Sequence, residues 1–263
     1  MQSVELKESD LRDFLDAERK RLDEIYPKDD VPDDPLLFLN KDLIPEGSHG
    51  SIVYEDDFSG VALPESSVGD HSVPDNHDED SWKIILEDQR RKTLRHELTH
   101  ICYRNHHLGD QTAPVKSGSD PSAAYLEAVA MWEETHISEP LKPFNLEEYG
   151  AQGLEDIPEF WDRFIADKQN PRSIDDPHRF GTLSAYLIER GYLENHDLKE
   201  AKKRTRRDLL NVSSNKELEQ ANRQAAETLS IPYFPDLIRG RTVNHLDSEI
   251  AEVYLSKGEN ILR

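Results

Sequence analysis

The amino-acid sequence predicts an α+β fold that is mainly helical, with a small sheet in the N-terminal part. Two observations predict this class. Apolar residues recur every three or four positions over most of the chain, which is typical of amphipathic helices. Short apolar runs bounded by Pro, Gly and Asp occur in the first third and are typical of strands.

The first third begins with one predicted helix, followed by two predicted strands. Apolar side chains at helical spacing predict a helix from Glu8 to Ile25, with Ser9 as its N-cap. The apolar runs from Leu36 to Leu39 and from Gly50 to Tyr54 predict short strands. The segment from Pro64 to Ser81 is dense in Asp, Ser and Pro, so we expect a loop there.

Helical patterns dominate the rest of the chain. The compact run from Trp82 to Leu86 predicts one more strand before them. A glycine just after a helical pattern usually ends it, so Gly191 is expected to stop the helix that contains Tyr186. The expected helices run from about Asp88 to Tyr103, Asp120 to Glu134, His178 to Glu189, Asp197 to Leu210, Asn215 to Leu229 and Asp247 to Leu255.

The charge of the chain disfavours two classes of partner. Its 54 Asp and Glu residues against 32 Lys and Arg residues give a formal net charge of -22. Such a chain is repelled by phosphate backbones and by anionic lipid surfaces, so neither nucleic acid nor membrane is an expected partner. The same acidity is found in proteins adapted to high salt and in ordinary acidic cytoplasmic proteins, and both interpretations stay open. With a single cysteine and no apolar leader, we expect a cytoplasmic location.

The segment His96-Glu97-Leu98-Thr99-His100 carries the chemistry of this sequence. Two His side chains four residues apart on a helix point in the same direction, so both imidazoles can reach one metal ion. Glu97 lies on the adjoining side of that helix, where it can act as a general base without being a ligand. The alternative is a surface helix with solvated His and Glu side chains.

A zinc site of this kind needs a third protein ligand, and Glu127 is the candidate. It stands in the apolar run from Ala123 to Trp132, where an unpaired carboxylate would be costly to bury. The alternative is a buried ion pair with Arg95 or Arg104. Glu133 and Glu134 are weaker candidates for the same ligand position.

These residues resemble the gluzincin metallopeptidases, the group of thermolysin and the zinc aminopeptidases. Their pattern is H-E-x-x-H followed by a Glu ligand on a second helix, and Glu127-Ala128 matches that second part. The resemblance implies a zincin-like fold and a bound Zn²⁺, with a substrate-pairing strand at Trp82 to Leu86. It also implies that His178 stabilises the oxyanion, with Tyr186 as the other candidate and a solvated His178 as the alternative. One departure is Met131, which stands where thermolysin-like enzymes carry an Asp that orients a ligand histidine.

The resemblance leads to a predicted organisation and function. Residues 1–80 would hold the N-terminal helix, short strands and acidic loop, residues 81–195 a zincin-like catalytic core, and residues 196–263 a helical extension, unless all form one domain. The predicted function is zinc-dependent hydrolysis of peptide bonds in a peptide or protein substrate. The alternative is a regulatory or binding protein that keeps the zincin fold with little general proteolysis, and a third is nucleic-acid binding through Lys199 to Arg207.

Overall fold

The computed structural model describes residues 2–44, 48–55, 58–107, 124–134 and 177–231. It is mainly helical with small sheets, which confirms the predicted α+β class. The strands are β1 (Ser3–Leu6), β2 (Leu36–Leu39), β3 (Ser51–Glu55), β4 (Phe58–Leu63) and β5 (Gly69–Ser72). The helices are α1 (Glu8–Asp23), α2 (Glu79–His107), α3 (Ala124–Glu134), α4 (Pro177–Leu193), α5 (Leu198–Asn211) and α6 (Asn215–Leu229).

The chain forms two compact units. The first consists of Met1–Asp120 with Glu133–Ile137, and the second of Pro121–Trp132 with Ser138–Arg263. No helix in the described parts of the chain is both long and apolar enough to cross a lipid bilayer.

Two small sheets lie in the first unit. Strand β4 is central in a three-stranded sheet, where it pairs in parallel with β2 and antiparallel with β3. Strands β1 and β5 form an antiparallel pair. Helices α1 and α2 pack against each other, and α2 also packs on β3 and β4. The sheets and α1 therefore hold the long helix α2 along its length.

Helix α2 corrects one sequence prediction, because Trp82 to Leu86 is helical and not a strand. A short apolar run has the same composition in a strand and in a buried helix, so the residues that cap the run decide which of the two structures forms. Asp78 accepts hydrogen bonds from the backbone N–H and the hydroxyl of Ser81 at 2.7 and 3.0 Å, which starts the helix upstream of the run. Leu86 then packs with Val4 and Leu6 of β1, whereas Ile84 stays 68% exposed.

Three further predictions are settled by the structure. Helix α1 confirms the first predicted helix, but its N-cap is Lys7, whose backbone N–H donates to Asp10, and not Ser9. The predicted loop from Pro64 to Ser81 is wrong in part, because it contains β5 and the start of α2. Asp120 and the predicted helix from Asp247 to Leu255 lie outside the described residues.

The second unit is a set of helices packed around α4. Gly191 does not end α4, because it lies inside the helix, where a Cβ would come within 3.2 Å of the Cα of Ala225 on α6. Gly181 is closer still to α3, since a Cβ there would lie 2.7 Å from the backbone nitrogen of Ala128. Both glycines serve close helix packing, and a larger side chain at either position would push two backbones apart.

A group of buried charged side chains joins α1, α2 and the end of α3 in the first unit. Arg95 is 1% exposed, and its Nε lies 3.0 Å from Oε2 of Glu18 on α1. Its Nη1 donates to the backbone carbonyl of Glu133, and the hydroxyl of Tyr26 donates to the carboxylate of Glu133 at 3.1 Å. Burial lowers the pKa of the Arg95 guanidinium, while the charges of Glu133 and Glu18 oppose that shift. This group therefore ties α1 and the end of α3 to α2 beside His96.

Candidate metal centre

His96 and His100 occupy one side of α2, as the sequence predicted for a helix. The opposite side of the same turns is fully buried, with Leu98, Ile101 and Cys102 each at 0% exposure. The Nε2 atoms of the two imidazoles lie 3.0 Å apart, and the rings meet edge to face. Two nitrogens bound to one tetrahedral zinc ion at ~2.0–2.1 Å lie about 3.3 Å apart, so little movement separates this pair from that arrangement.

Glu134 orients the first of these imidazoles. Its Oε2 lies 2.9 Å from Nδ1 of His96. A carboxylate accepts hydrogen bonds, so Nδ1 of His96 carries the proton and the Nε2 lone pair faces His100. The sequence placed no orienting carboxylate, because Met131 stands at the position where thermolysin-like enzymes carry one. Glu134 lies one helical turn beyond that position, and it was considered only as a weaker ligand.

Glu127, the predicted third ligand, lies on α3 in the second unit, whereas His96 and His100 lie on α2 in the first. That Glu127 shares an ion with these two histidines stays a prediction. Glu127 and Glu134 are both on α3 and seven residues apart, which places them within about 20° of each other around the helix. The two arginines considered as ion-pair partners of Glu127 have other contacts, since Arg95 pairs with Glu18 and the guanidinium of Arg104 lies over the ring of Tyr54. Two imidazoles and one carboxylate form a donor set that suits zinc and leaves a coordination position open.

Glu97 is buried beside the histidines. It is 8% exposed, as is His96. Gly50, at the entry to β3, lies directly against it, because a Cβ at Gly50 would come within 3.0 Å of Oε1 of Glu97 and of Cγ2 of Thr93. A small residue at position 50 therefore leaves space at the Glu97 carboxylate. Sequence reasoning missed Gly50, and its only signal was its place at the start of a predicted strand.

The strand beside the candidate site is β3, and not the strand that the sequence predicted from Trp82 to Leu86. Trp82 to Leu86 cannot pair with a peptide as a strand, because these residues belong to α2. Within the described part of the chain, β3 pairs only with β4 and so keeps one edge open. An open edge presents backbone N–H and C=O groups to which an extended peptide can bind.

Of the two candidates for the oxyanion role, the structure describes the side chain of Tyr186 but not that of His178. His178 lies in the first turn of α4, and its side chain is outside the described residues. The role of His178 therefore stays a prediction. Tyr186 is 2% exposed in α4, and Cζ of Arg190 lies 5.1 Å from the centre of its ring.

Comparison with known proteins gives no assignment. No family model, no curated protein and no solved structure matches this chain. The chemistry of the side chains is therefore the basis for a functional proposal.

The contact between Glu134 and His96 leads to a prediction about metal affinity. Glu134→Gln keeps the shape of the side chain but presents either a neutral oxygen or an amide N–H to Nδ1 of His96. We expect zinc affinity to fall about 10- to 100-fold, measured by competition with a chelator of known affinity. Glu87→Gln, a change on the same long helix, is the control and should keep the native affinity. Equal affinities in the two variants would contradict the orienting role of Glu134.

Proposed function

We propose that this protein is a zinc-dependent peptidase with His96, His100 and Glu127 as the metal ligands. The observation that carries the proposal is the meeting of the Nε2 atoms of His96 and His100 at 3.0 Å on one side of α2, next to the buried carboxylate of Glu97. The contact from Glu134 to Nδ1 of His96 supports it further, because it prepares the Nε2 atom for a metal. A surface helix with solvated His and Glu would have none of these features.

Each residue of the proposed site has a definite task in this reaction. Zinc bound by the three ligands would supply Lewis acidity, which lowers the pKa of water and polarises a peptide carbonyl. Glu97 accepts a proton from the water that attacks the carbonyl carbon. It then donates that proton to the leaving nitrogen as the C–N bond breaks. Its burial limits competition from bulk water for the proton.

The substrate is a peptide in extended conformation. Strand β3 begins directly after Gly50, which lies against Glu97, and it has an open edge among the described residues. A peptide added along that edge would hydrogen-bond through its backbone, and its side chains would alternate between the protein and solvent. This replaces the predicted pairing along Trp82 to Leu86, which is helical.

Glu97→Gln tests the catalytic part of the proposal. The amide cannot accept the proton of the attacking water, so we expect kcat for hydrolysis of a quenched-fluorescence peptide mixture to fall about 10²–10⁴-fold. Zinc content, measured by metal analysis of the same samples, should stay at the level of the native chain. Glu87→Gln should hydrolyse the mixture at the native rate.

Two results would reject the peptidase. One is the absence of hydrolysis by the zinc-loaded native chain, and the other is hydrolysis by the Glu97→Gln variant at the native rate. If the native chain binds zinc but cuts none of the mixture, the regulatory or binding protein with the same metal centre becomes the better proposal.

A further inference from the structure

Arg104 lies one helical turn beyond His100 on α2, in contact with strand β3. Its Cζ is 3.5 Å from the centre of the Tyr54 ring, so the guanidinium rests on the face of that ring. Tyr54 is the fourth residue of β3, and Gly50 at the entry to the same strand touches Glu97. Strand β3 therefore follows α2 from Glu97 to Arg104.

Helix geometry places Arg104 on the same side of α2 as the proposed catalytic groups. Seven residues separate it from Glu97 and four from His100, which gives angular offsets of about 20° and 40°. Helical side chains lean toward the N-terminal end of their helix, so Arg104 leans toward His100. The rise along the helix from His100 to Arg104 is about 6 Å, which equals roughly two residues of an extended peptide.

The charge of Arg104 is not neutralised by the described part of the chain, where no carboxylate lies within ion-pair distance of it. Arg91, on the same helix, differs from Arg104 because a carboxylate lies close to it. It also has its guanidinium over an aromatic ring, that of Phe14 at 4.0 Å, but it additionally faces the Glu18 carboxylate at 4.0 Å. In a chain with 54 acidic residues, a half-buried arginine that contacts Tyr54 but no carboxylate of the described residues is available for an anion from outside.

The contact with Tyr54 engages at most one of the N–H donors of Arg104, through the Tyr54 hydroxyl, and leaves the others available. Burial raises the pKa of Tyr54, so the phenol is neutral and the contact is a cation on a ring face. A guanidinium carries its five N–H donors in its own plane, and stacking occupies the face of that plane. The edge of the guanidinium can therefore take a carboxylate through two parallel hydrogen bonds.

We propose that Arg104 is a specificity residue that binds a carboxylate of the substrate about two residues away from the bond that is cut. This inference rests on the proposed peptidase function and names the kind of peptide that the site prefers. The carboxylate has two chemical sources. It belongs to a Glu side chain if the peptide runs antiparallel to β3, and to a free C-terminus if the peptide runs parallel to it.

The test uses matched short peptides and the full-length chain loaded with zinc. One arm scans a blocked peptide with Glu against Gln at each position on both sides of the cut bond. The other arm compares a free C-terminal carboxylate with its amide. We expect one of these carboxylates to raise kcat/KM about 10- to 100-fold over its neutral partner, as a charge-assisted hydrogen bond would. Arg104→Gln should remove that preference, whereas Arg91→Gln should keep it.

A binding measurement separates this inference from the peptidase proposal. The same peptides, labelled with a fluorophore, are titrated with the zinc-loaded Glu97→Gln chain, and dissociation constants come from fluorescence anisotropy. A carboxylate preference that disappears in the double variant Glu97→Gln/Arg104→Gln supports the role of Arg104, even if the native chain cuts nothing. A preference that survives Arg104→Gln in either measurement overturns it, and so does the absence of any preference between charged and neutral peptides.

Discussion

Replacing His96 with alanine is expected to abolish both the retention of zinc and all zinc-dependent peptide hydrolysis. The loss should exceed the loss in Glu97→Gln, because that variant keeps its metal ion. His96 is one of the three proposed ligands, and its removal also leaves Glu134 without the imidazole that it contacts. Metal analysis after dialysis should give about one zinc per native chain and almost none in the variant.

Glu127→Ala and His107→Ala complete this experiment. Glu127→Ala should lose zinc as His96→Ala does, since two imidazoles alone hold the ion weakly. His107 lies on α2 against the ring of Tyr103, with ring centres 4.4 Å apart, and is not one of the proposed ligands. His107→Ala should therefore keep its zinc and its activity. Full zinc occupancy in Glu127→Ala would remove the proposed third ligand.

Local pattern was enough to predict the parts of the site that lie on one helix. The spacing of His96 and His100 fixes their direction on α2 whatever surrounds them, and the apolar residues between them fix the buried side. Helix α6 has the bounds that were predicted, Asn215–Leu229, because its apolar stripe and its cap at Ser214 agree. These features depend on neighbours three or four residues away.

The rest of the site depends on contacts between distant segments, which local pattern does not contain. Glu134 acts on a histidine 38 residues earlier, and nothing in its own segment distinguishes it from Glu133. Strand β1 pairs with β5, although β5 has a polar sequence that predicts a loop. The segment from Trp82 to Leu86 is helical because Asp78 caps it and because Leu86 has β1 to pack on. In the first two cases a long-range partner decided between two local alternatives, and in the third the local cap at Asp78 acts together with a distant strand.

Arg95→Met is expected to lower the free energy of unfolding of the chain by up to about 3–5 kcal/mol, because it removes the closest cation from the buried carboxylate of Glu18, which keeps only the longer contacts with Arg21 at 3.5 Å and Arg91 at 4.0 Å. Arg95 and Glu18 are each 1% exposed, and their Nε and Oε2 atoms are 3.0 Å apart. Methionine fills a similar volume, so the lost charge and not a cavity is the main cause. Arg12→Met is the matched control, since Arg12 pairs with Glu8 at 2.6 Å on the exposed face of α1. An exposed pair of this kind contributes about 0–1 kcal/mol. Urea unfolding followed by circular dichroism measures all of these variants.

The position of Arg95 links this stability to the metal centre. Its neighbour in sequence is His96, and its Nη1 donates to the backbone carbonyl of Glu133, the residue before Glu134. Helix α2 therefore contacts the end of α3 twice, through Arg95 on one side and through His96 on the other.

If the ion pair between Arg95 and Glu18 sets the distance between these helices, Arg95→Met should weaken zinc binding under conditions where the variant is still folded. The double variant Glu18→Met/Arg95→Met should recover part of the stability, because the buried carboxylate of Glu18 is then removed together with its partner, while Glu133 keeps the hydrogen bond from Tyr26. Unchanged stability in Arg95→Met, or no recovery in the double variant, would show that the buried pair does not hold α1 against α2.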